Sequence, residues 1–241
     1  MSVKEHYDTH LAGFYSWMSG DFSTRQNEFY TFLHAHNIFP TGTGMAIDLG
    51  CGHGIQSSAM AKAGFTVKAV DFSVPLLQEL KANCVNLPVA CFEDDIRNIG
   101  QYKDIKPELI ICWGDTICHL QSKHEIFSLL TDCANVLNQD GKLLLSFRDY
   151  SKELEGLGRF IPVVSDENRI LTCFLEYAGE FITVTDLLHE KSNGRWIQKV
   201  SSYKKVRVSV KEIIDHLTKA GLTVALVTEI NHMHVIIAKK T

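Results

Sequence analysis

The stretch Asp48-Leu49-Gly50-Cys51-Gly52-His53-Gly54 joins a short apolar run, Met45–Leu49, to a segment with helical spacing at 55–63. Glycine at every second position allows a sharp turn and lets a ligand approach the backbone without a Cβ in the way. The start of the next helix adds a positive partial charge that favours a carboxylate. A purely structural turn is the alternative, but the acidic residue before the glycines favours a ligand. We therefore expect ligand contacts at Asp48, Gly50, Cys51, Gly52 and Gly54.

The spacing of these glycines also excludes one class of ligand site. The dinucleotide fingerprint of dehydrogenases is G-x-G-x-x-G, which Gly50, Gly52 and Gly54 do not satisfy. A nicotinamide-dependent dehydrogenase is therefore disfavoured.

Apolar runs and helical patterns alternate outward from this loop. Strands are predicted at 45–49, 65–70, 88–92, 109–113 and 142–147, with helices at 55–63, 75–83 and 123–137. Short strands separated by helices of this length require right-handed crossovers and one parallel sheet. The predicted fold class is α/β, a Rossmann-like, doubly wound, mostly parallel sheet.

The flanking segments follow other patterns, although we predict a single domain over 1–241. Residues 1–40 are predicted to form a helical lid before a cofactor-binding core at 45–150. Residues 159–208 are rich in β-branched and aromatic residues, and Ser192-Asn193-Gly194 is typical of a hairpin turn, so an antiparallel insertion is expected there. A closing helix and strand pair are predicted at 209–241.

Composition and charge reduce the number of function classes that fit the chain. The chain has 241 residues and a formal net charge of -4, which gives no reason to expect a nucleic-acid partner. The 7 cysteines form no C-x-x-C pair, and His232 and His234 have no further metal-ligating residue beside them in sequence, so no metal is expected. No apolar run is long enough to span a membrane. These features favour a cytoplasmic protein.

Acidic residues follow the second and third predicted strands. Asp71 stands where a doubly wound sheet places an acidic residue on ribose hydroxyls, and Phe72 beside it is also expected to contact the cofactor. Asp71 could instead cap the next helix, a role that suits Ser73 better. Asp94 and Asp95 could accept a hydrogen bond from an adenine amino group while Ile96 packs on the ring. Solvated loop carboxylates are the alternative.

Taken together, residues 45–150 resemble the class I S-adenosylmethionine-dependent methyltransferase family. The pattern D-x-G-x-G-x-G, the acidic end of the second strand and the acidic pair after the third strand occur in the family's order. The resemblance implies S-adenosylmethionine as cofactor.

Three further segments resemble glycine N-methyltransferases: residues 113–120, residues 147–150, and the region of Tyr15, Trp17, Gly20, Asp21 and Arg25. This resemblance implies that Trp113 and Gly114 border the cofactor. It also implies that Trp17 packs beside the cofactor and that Arg25 pairs with its carboxylate. Asp115 and Asp149 stand where those enzymes commonly have asparagine, so glycine is not assigned as the substrate.

Candidate groups for the acceptor lie after the fourth and fifth strands. His119 could act as a base or orient the acceptor, or it could be a hydrogen-bonded structural histidine. Arg148 could bind a substrate carboxylate or pair with Asp115 or Asp149. Tyr150 is a candidate catalytic residue, and Tyr15 and Tyr177 are candidate substrate contacts. The basic run of Lys204, Lys205 and Arg207 is expected to be a solvated face.

The sequence thus predicts an S-adenosylmethionine-dependent methyltransferase that acts on a nitrogen or oxygen of a small molecule. A tRNA or rRNA methyltransferase is one alternative, but it would normally carry a basic surface or an added RNA module. A non-catalytic module that binds S-adenosylmethionine is another. The strand edges of the insertion could support a homodimer.

Overall fold

The structure, a computed structural model, describes residues 3–241; Met1 and Ser2 of the predicted lid lie outside the described residues. The strands are β1 (Met45–Leu49), β2 (Thr66–Asp71), β3 (Val89–Glu93), β4 (Leu109–Cys112), β5 (Lys142–Phe147), β6 (Phe160–Ser165), β7 (Arg169–Ala178), β8 (Phe181–Ser192), β9 (Arg195–Val206), β10 (Leu222–Ile230) and β11 (Met233–Lys240). The helices are α1 (Val3–His6), α2 (Tyr15–Ser19), α3 (Phe22–Ala35), α4 (Ile55–Lys62), α5 (Val74–Asn83), α6 (Lys123–Val136) and α7 (Val210–Lys219).

A mostly parallel sheet forms the centre, with strand order β10-β11-β5-β4-β1-β2-β3. Strands β1 to β5 run parallel, whereas β11 runs antiparallel to both β5 and β10. The chain passes from β1 to β3 on one side and then resumes at β4 on the other side of β1. This reversal creates the crevice in which open α/β sheets bind ligands. The predicted α/β fold class is confirmed.

Helices cover both faces of this sheet, which is why its central strands β1 and β4 are apolar apart from the buried Asp48 of β1. Ile47 and Leu49 of β1 belong to a core that includes α6 and α7, whereas Ala46 packs with Phe29 and Met60 of α3 and α4. The alternation of side chains along a strand sends neighbours to opposite faces.

Strands β6 to β9 form a second, antiparallel sheet, which confirms the insertion expected from the sequence. Ser192 of β8 pairs with Arg195 of β9 across a two-residue turn. Asn193 and Gly194 in this turn have φ of 50° and 75°. Both values are those that a type I′ hairpin turn requires, and Asn-Gly adopts them readily.

Helical structure precedes the central sheet, as predicted. A π-helical turn, Tyr7–Leu11, follows α1, and α3 begins after Asp21, whose carboxylate accepts a hydrogen bond from the amide of Thr24 at 2.8 Å. Three short 3-10 helices were not predicted: Ile96–Ile105, Thr116–His119 and Gly156–Arg159. The first two follow β3 and β4, and they bring Ile96 and His119 to the carboxyl ends of the parallel strands, where the crevice lies.

Among residues 3–241, no helix is both long enough and apolar enough to cross a bilayer.

Candidate active site

A cavity of about 590 Å³ opens at the carboxyl ends of β1, β2 and β4. The N-terminal helices lie on one side of it, and strands β8 and β9 of the antiparallel sheet contribute another wall. Its lining consists of Val3, Lys4, Tyr7, Tyr15, Gly50, Gly52, Asp71, Phe72, Asp95, Ile96, Arg97, Gly114, Thr116, His119, Leu120, Gln121, Glu125, Phe181, Thr183, Ser202, Tyr203 and Lys204. The cavity therefore occupies the crevice that the strand order predicts.

One wall, here called the glycine wall, consists of Gly50, Gly52, Asp71, Ile96 and Gly114. Gly50 and Gly52 have φ of +73° and +52°, values that favour glycine. A Cβ on Gly50 would lie 2.4 Å from the Cγ2 atom of Thr116, and one on Gly52 would lie 3.1 Å from the hydroxyl of Tyr15. The glycines thus allow both the turn and the close packing of the side chains that surround the cavity.

Asp71 connects the glycine-rich turn to the end of β2. Its carboxylate accepts hydrogen bonds from the amides of Gly52 at 2.8 Å and Ser73 at 2.9 Å. Burial raises the pKa of Asp71 above its usual value, although these amides oppose the shift. A carboxylate has about four acceptor positions, so Asp71 keeps the capacity to receive two ribose hydroxyls from the cavity.

An arginine brings together the acidic residues near β3. Arg97 forms ion pairs with Asp95 at 2.6 Å and with Glu125 at 2.9 Å, and all three line the cavity. Ile96 is buried beside them and presents an apolar surface that could pack on a purine ring.

Five aromatic side chains form a second wall, here called the aromatic wall: Tyr7, Tyr15, Phe72, His119 and Tyr203. Tyr7 contacts three of the others, with ring centroids 5.5 Å from Phe72, 5.5 Å from His119 and 6.3 Å from Tyr15. His119 stacks on Tyr203 at 5.4 Å. Tyr7 and Tyr203 were not predicted at the site, and Phe72 was predicted to contact the cofactor, a role that stays a prediction.

The aromatic wall is neutral. Burial lowers the pKa of His119 well below its ordinary value, and the positive charge of Lys205 lowers it further. Burial raises the pKa of the Tyr7 and Tyr203 phenols well above their ordinary value and that of Tyr15 in the same direction. His119 Nε2 lies 3.3 Å from the Tyr7 hydroxyl, and its Nδ1 is buried without a hydrogen-bond partner in the part of the chain that the structure describes. A neutral imidazole with one unused nitrogen is suited to contacting an acceptor.

A buried ion pair lies behind the loop that carries His119. Lys205 Nζ lies 2.5 Å from Asp115 Oδ2, which also accepts a hydrogen bond from the Tyr150 hydroxyl at 2.9 Å. The amide of Arg148 donates to the other oxygen of Asp115 at 2.9 Å. Burial would raise the pKa of Asp115, but Lys205 and this amide bring it below its usual value. The expectation of a solvated face at Lys205 is wrong, because only 8% of this residue is exposed.

Part of the predicted cofactor set lies outside the cavity lining. Asp48 is buried behind the turn, where Ser57 donates a hydrogen bond to it at 2.5 Å, and burial raises the pKa of Asp48 to about 7. Asp94 receives hydrogen bonds from Asn98 and Gln101 on the opposite side of its loop. The other two members of this group are Cys51 and Gly54. They support the turn rather than border the cavity.

The residues that the resemblance to glycine N-methyltransferases places at the cofactor do not all line the cavity either. Gly114 lines the cavity, whereas Trp113 packs on Phe29 of α3, with ring centroids 4.8 Å apart. Trp17 donates a hydrogen bond to Asp166 at 2.5 Å, and Arg25 pairs with Glu28 at 2.9 Å. The roles of Trp17, Arg25 and Trp113 at the cofactor stay predictions.

The three candidate catalytic residues likewise do not all line the cavity. His119 lines the cavity, whereas Tyr150 and Arg148 do not. The Arg148 guanidinium donates to the carbonyl of His232 at 3.4 Å, and Tyr150 holds Asp115. Their catalytic roles stay predictions. Among the described residues, no group of His, Cys, Asp and Glu could hold a metal ion.

Comparisons with known proteins agree with this geometry. Residues 46–141 match the family described as "Methyltransferase domain". The chain is 28% identical over 116 residues to a glycine/sarcosine N-methyltransferase of Aphanothece halophytica, covering 47% of this chain and 44% of that protein. It is 33% identical over 103 residues to a cypemycin N-terminal methyltransferase of Streptomyces, covering 43% of this chain and 41% of that protein. The alignments therefore span less than half the length of these two curated relatives.

Similarity in structure extends over nearly the whole chain. The amino pentose methyltransferase CalS10 of Micromonospora echinaspora, solved with S-adenosylmethionine bound, superposes with a TM-score of 0.74 at 14% identity. The match covers 93% of this chain and 94% of that one. The shared fold therefore extends well beyond residues 46–141, the part matched by the family.

Proposed function

We propose that this chain transfers the methyl group of S-adenosylmethionine to the nitrogen of a small-molecule amine. The match of residues 46–141 to the methyltransferase domain family and the fold shared with a methyltransferase solved with S-adenosylmethionine bound support the proposal. One observation carries the proposal: a single cavity has a glycine wall suited to a nucleoside and a neutral aromatic wall suited to an acceptor. Two curated relatives are named a glycine/sarcosine N-methyltransferase and a cypemycin N-terminal methyltransferase, and these names favour an amine. Another is named a ubiquinone biosynthesis O-methyltransferase, so the choice of an amine rests on the aromatic wall.

The glycine wall is suited to the cofactor. When bound, S-adenosylmethionine supplies a methyl group already activated by a sulfonium. The amides around Gly50 and Gly52 would receive its methionine part, Asp71 would accept its ribose hydroxyls, and Ile96 would pack on its adenine. The Arg97 guanidinium donates three hydrogen bonds to the Asp95 carboxylate, so Asp95 would be fixed in place beside the adenine.

The aromatic wall favours an amine over an alcohol as acceptor. A hydroxyl acceptor needs a base to take its proton, and burial makes His119 a weaker base by lowering its pKa well below the ordinary value. A neutral amine already has a free electron pair, so the protein needs only to hold it in line with the methyl carbon at about 3 Å. His119 would orient the acceptor rather than deprotonate it.

The test begins with calorimetric titration of S-adenosylhomocysteine into wild-type protein and two matched variants. Asp71→Asn removes the carboxylate that lines the cavity, whereas Asp94→Asn removes a carboxylate that does not. We expect about tenfold or greater weakening for Asp71→Asn, since hydrogen bonds to a charged group contribute about 1.5–3 kcal/mol, and little change for Asp94→Asn. Equal effects in both variants would contradict the assignment of Asp71.

Methyl transfer is then measured with matched amines and phenols by formation of S-adenosylhomocysteine. We expect turnover with amines only. Folded protein that binds no S-adenosylhomocysteine would overturn the proposal. Protein that binds it but methylates nothing would favour a non-catalytic module.

A further inference from the structure

We propose that the aromatic wall is a cation-binding subsite for N-methylated ammonium groups, and that the acceptor is an amine already carrying methyl groups. The inference rests on the proposed function, because it concerns the acceptor of the same cavity. It goes further in that it names the group which the wall recognises and the residues that recognise it.

The arrangement of the rings supports this assignment. The residues Tyr7, Tyr15, Phe72, His119 and Tyr203 line one cavity, and the ring centroids of the contacting pairs lie 5.4 to 6.3 Å apart. A cation is attracted to an aromatic face within about 6 Å of the ring centroid. A small ammonium group in this space would contact several rings at once.

The charges around the wall allow this assignment. The described lining carries three carboxylates, on Asp71, Asp95 and Glu125, and three cations, on Lys4, Arg97 and Lys204, so its formal charges balance, and none of the five residues of the aromatic wall is a carboxylate. A primary ammonium group would need acceptors for its N–H groups, whereas an N-methyl group needs only an apolar, electron-rich surface. Neutral rings therefore discriminate in favour of methylated nitrogen.

The neighbouring Lys205 does not oppose a cation at this wall. Its charge is balanced by Asp115 at 2.5 Å. Its Nζ atom also lies 5.7 Å from the ring centroid of Tyr203 and 6.0 Å from that of Tyr150. Tyrosines of this region thus already accommodate one ammonium group within the protein.

Such a wall fits the movement of charge during methyl transfer. The lone pair of the amine forms the new N–C bond, the C–S bond breaks, and its electron pair passes to sulfur. The positive charge consequently moves from sulfur to nitrogen while remaining inside the cavity. When the acceptor is a tertiary amine, the product has no proton to lose, which suits a wall with no strong base.

The experiment compares a cation with its uncharged carbon counterpart. Choline, tetramethylammonium and 3,3-dimethylbutan-1-ol are titrated into the full chain saturated with S-adenosylhomocysteine, and binding is followed by calorimetry. We expect both cations to bind and choline to bind about fivefold to thirtyfold more tightly than the neutral alcohol, as cation–π contacts in desolvated sites predict. Equal affinity for choline and the alcohol, or no binding of either cation, would overturn the proposal.

Variants then assign the effect to the rings. Tyr203→Leu removes a ring of the wall, Tyr203→Phe keeps the ring without its hydroxyl, and Tyr177→Leu removes a tyrosine outside the lining. We expect Tyr203→Leu alone to abolish the preference for choline over the alcohol, with retained affinity for S-adenosylhomocysteine showing that the protein is folded. A preference that survives Tyr203→Leu would overturn the assignment. Failure of the folded wild-type protein to bind S-adenosylhomocysteine would instead contradict the proposed function.

Discussion

The two walls of the cavity differ in how far along the chain their parts are separated. Gly52 and Asp71, which are hydrogen-bonded in the glycine wall, are 19 residues apart, whereas Tyr7 and His119 in the aromatic wall are 112 apart. In the first wall, Gly50, Gly52 and Asp71 come from one strand–turn–helix–strand unit, and Ile96 and Gly114 follow the ends of β3 and β4. The second requires the N-terminal helices, the loop after β4 and the antiparallel sheet to pack correctly. A local motif can specify cofactor binding, whereas acceptor recognition depends on the whole tertiary fold.

The largest expected effect concerns the ion pair that joins the antiparallel sheet to the loop of His119. Lys205→Met leaves the Asp115 charge buried without its cation, and breaking a buried pair in this way costs about 3–5 kcal/mol. We expect that loss in the free energy of unfolding, measured with urea. We also expect the acceptor affinity to fall more than the affinity for S-adenosylhomocysteine, because Tyr203 and His119 lose their common support.

The neighbouring residue provides the control for this variant. Lys204 is exposed and Lys205 is buried, so Lys204→Met should leave stability within experimental error of the wild type. Similar losses in the two variants would show that the charge itself, rather than the buried pair, matters. Lys205→Met/Asp115→Leu should recover much of the loss, because it removes both charges together.

The second prediction concerns Asp48, which supports the glycine wall from behind. Burial raises its pKa from 3.8 to about 7, so the folded protein holds a proton there that the unfolded chain has released. Its contribution to stability is therefore greatest at low pH, falls as pH rises from about 4 to 7, and is level above the folded pKa. Between pH 5 and 8 the wild type should lose about 2–3 kcal/mol through this group.

Asp48→Asn isolates this contribution. The asparagine resembles the protonated acid in size and carries no charge at any pH. Unfolding of both proteins is measured at pH 5 and pH 8, and the stability of the wild type relative to Asp48→Asn should be lower at pH 8. Carboxylates that do not interact with Asp48 remain in both proteins and cancel in the difference, whereas the repulsion between Asp48 and Asp71 is part of the contribution being measured. A difference that is the same at both pH values would show that Asp48 is ionised in the folded protein.

The difference between the glycine wall and the aromatic wall also explains which features could be predicted from the sequence. The parallel core, the insertion and the turn at Asn193 and Gly194 follow from local patterns of apolar residues, glycines and turn residues, and the structure confirms them. Gly50, Gly52, Asp71, Ile96 and Gly114 were also predicted near the cofactor, and all of them line the cavity. In these cases each position depends mainly on its neighbours in sequence.

The aromatic wall and the buried pair could not be predicted in this way. Lys205 stands in a basic run that reads as a solvated face, and only its pairing with Asp115, 90 residues away, explains its burial. Tyr203 alternates with exposed residues on β9, but alternation alone does not say what its face covers. Tyr7 lies in a short π-helical turn that has no recognisable sequence pattern. Long-range packing determines these positions.

The smallest expected effect on stability concerns Lys4, which connects α1 to Phe72 of the aromatic wall. Lys4 Nζ donates to the carbonyl of Phe72 at 2.6 Å and pairs with Asp8 at 3.0 Å, and its side chain is 51% exposed. Exposed pairs contribute little, so Lys4→Met should change the free energy of unfolding by less than about 0.5 kcal/mol. The rate at which the ligand dissociates should change more than the stability does. Val3, Lys4 and Tyr7 line the cavity, so loosening α1 should speed the dissociation of S-adenosylhomocysteine a few-fold in stopped-flow measurements.

Lys211→Met is the matched control, since Lys211 forms an exposed pair with Asp215 at the same i,i+4 spacing but lies on α7, away from the cavity. Its dissociation rate should equal that of the wild type. An unchanged rate in Lys4→Met would show that α1 does not limit ligand exit. A faster rate in both variants would point to a general effect of charge. Only a change confined to Lys4→Met would mean that the contact between α1 and Phe72 controls access to the glycine wall, and that the N-terminal helices serve both walls of the cavity.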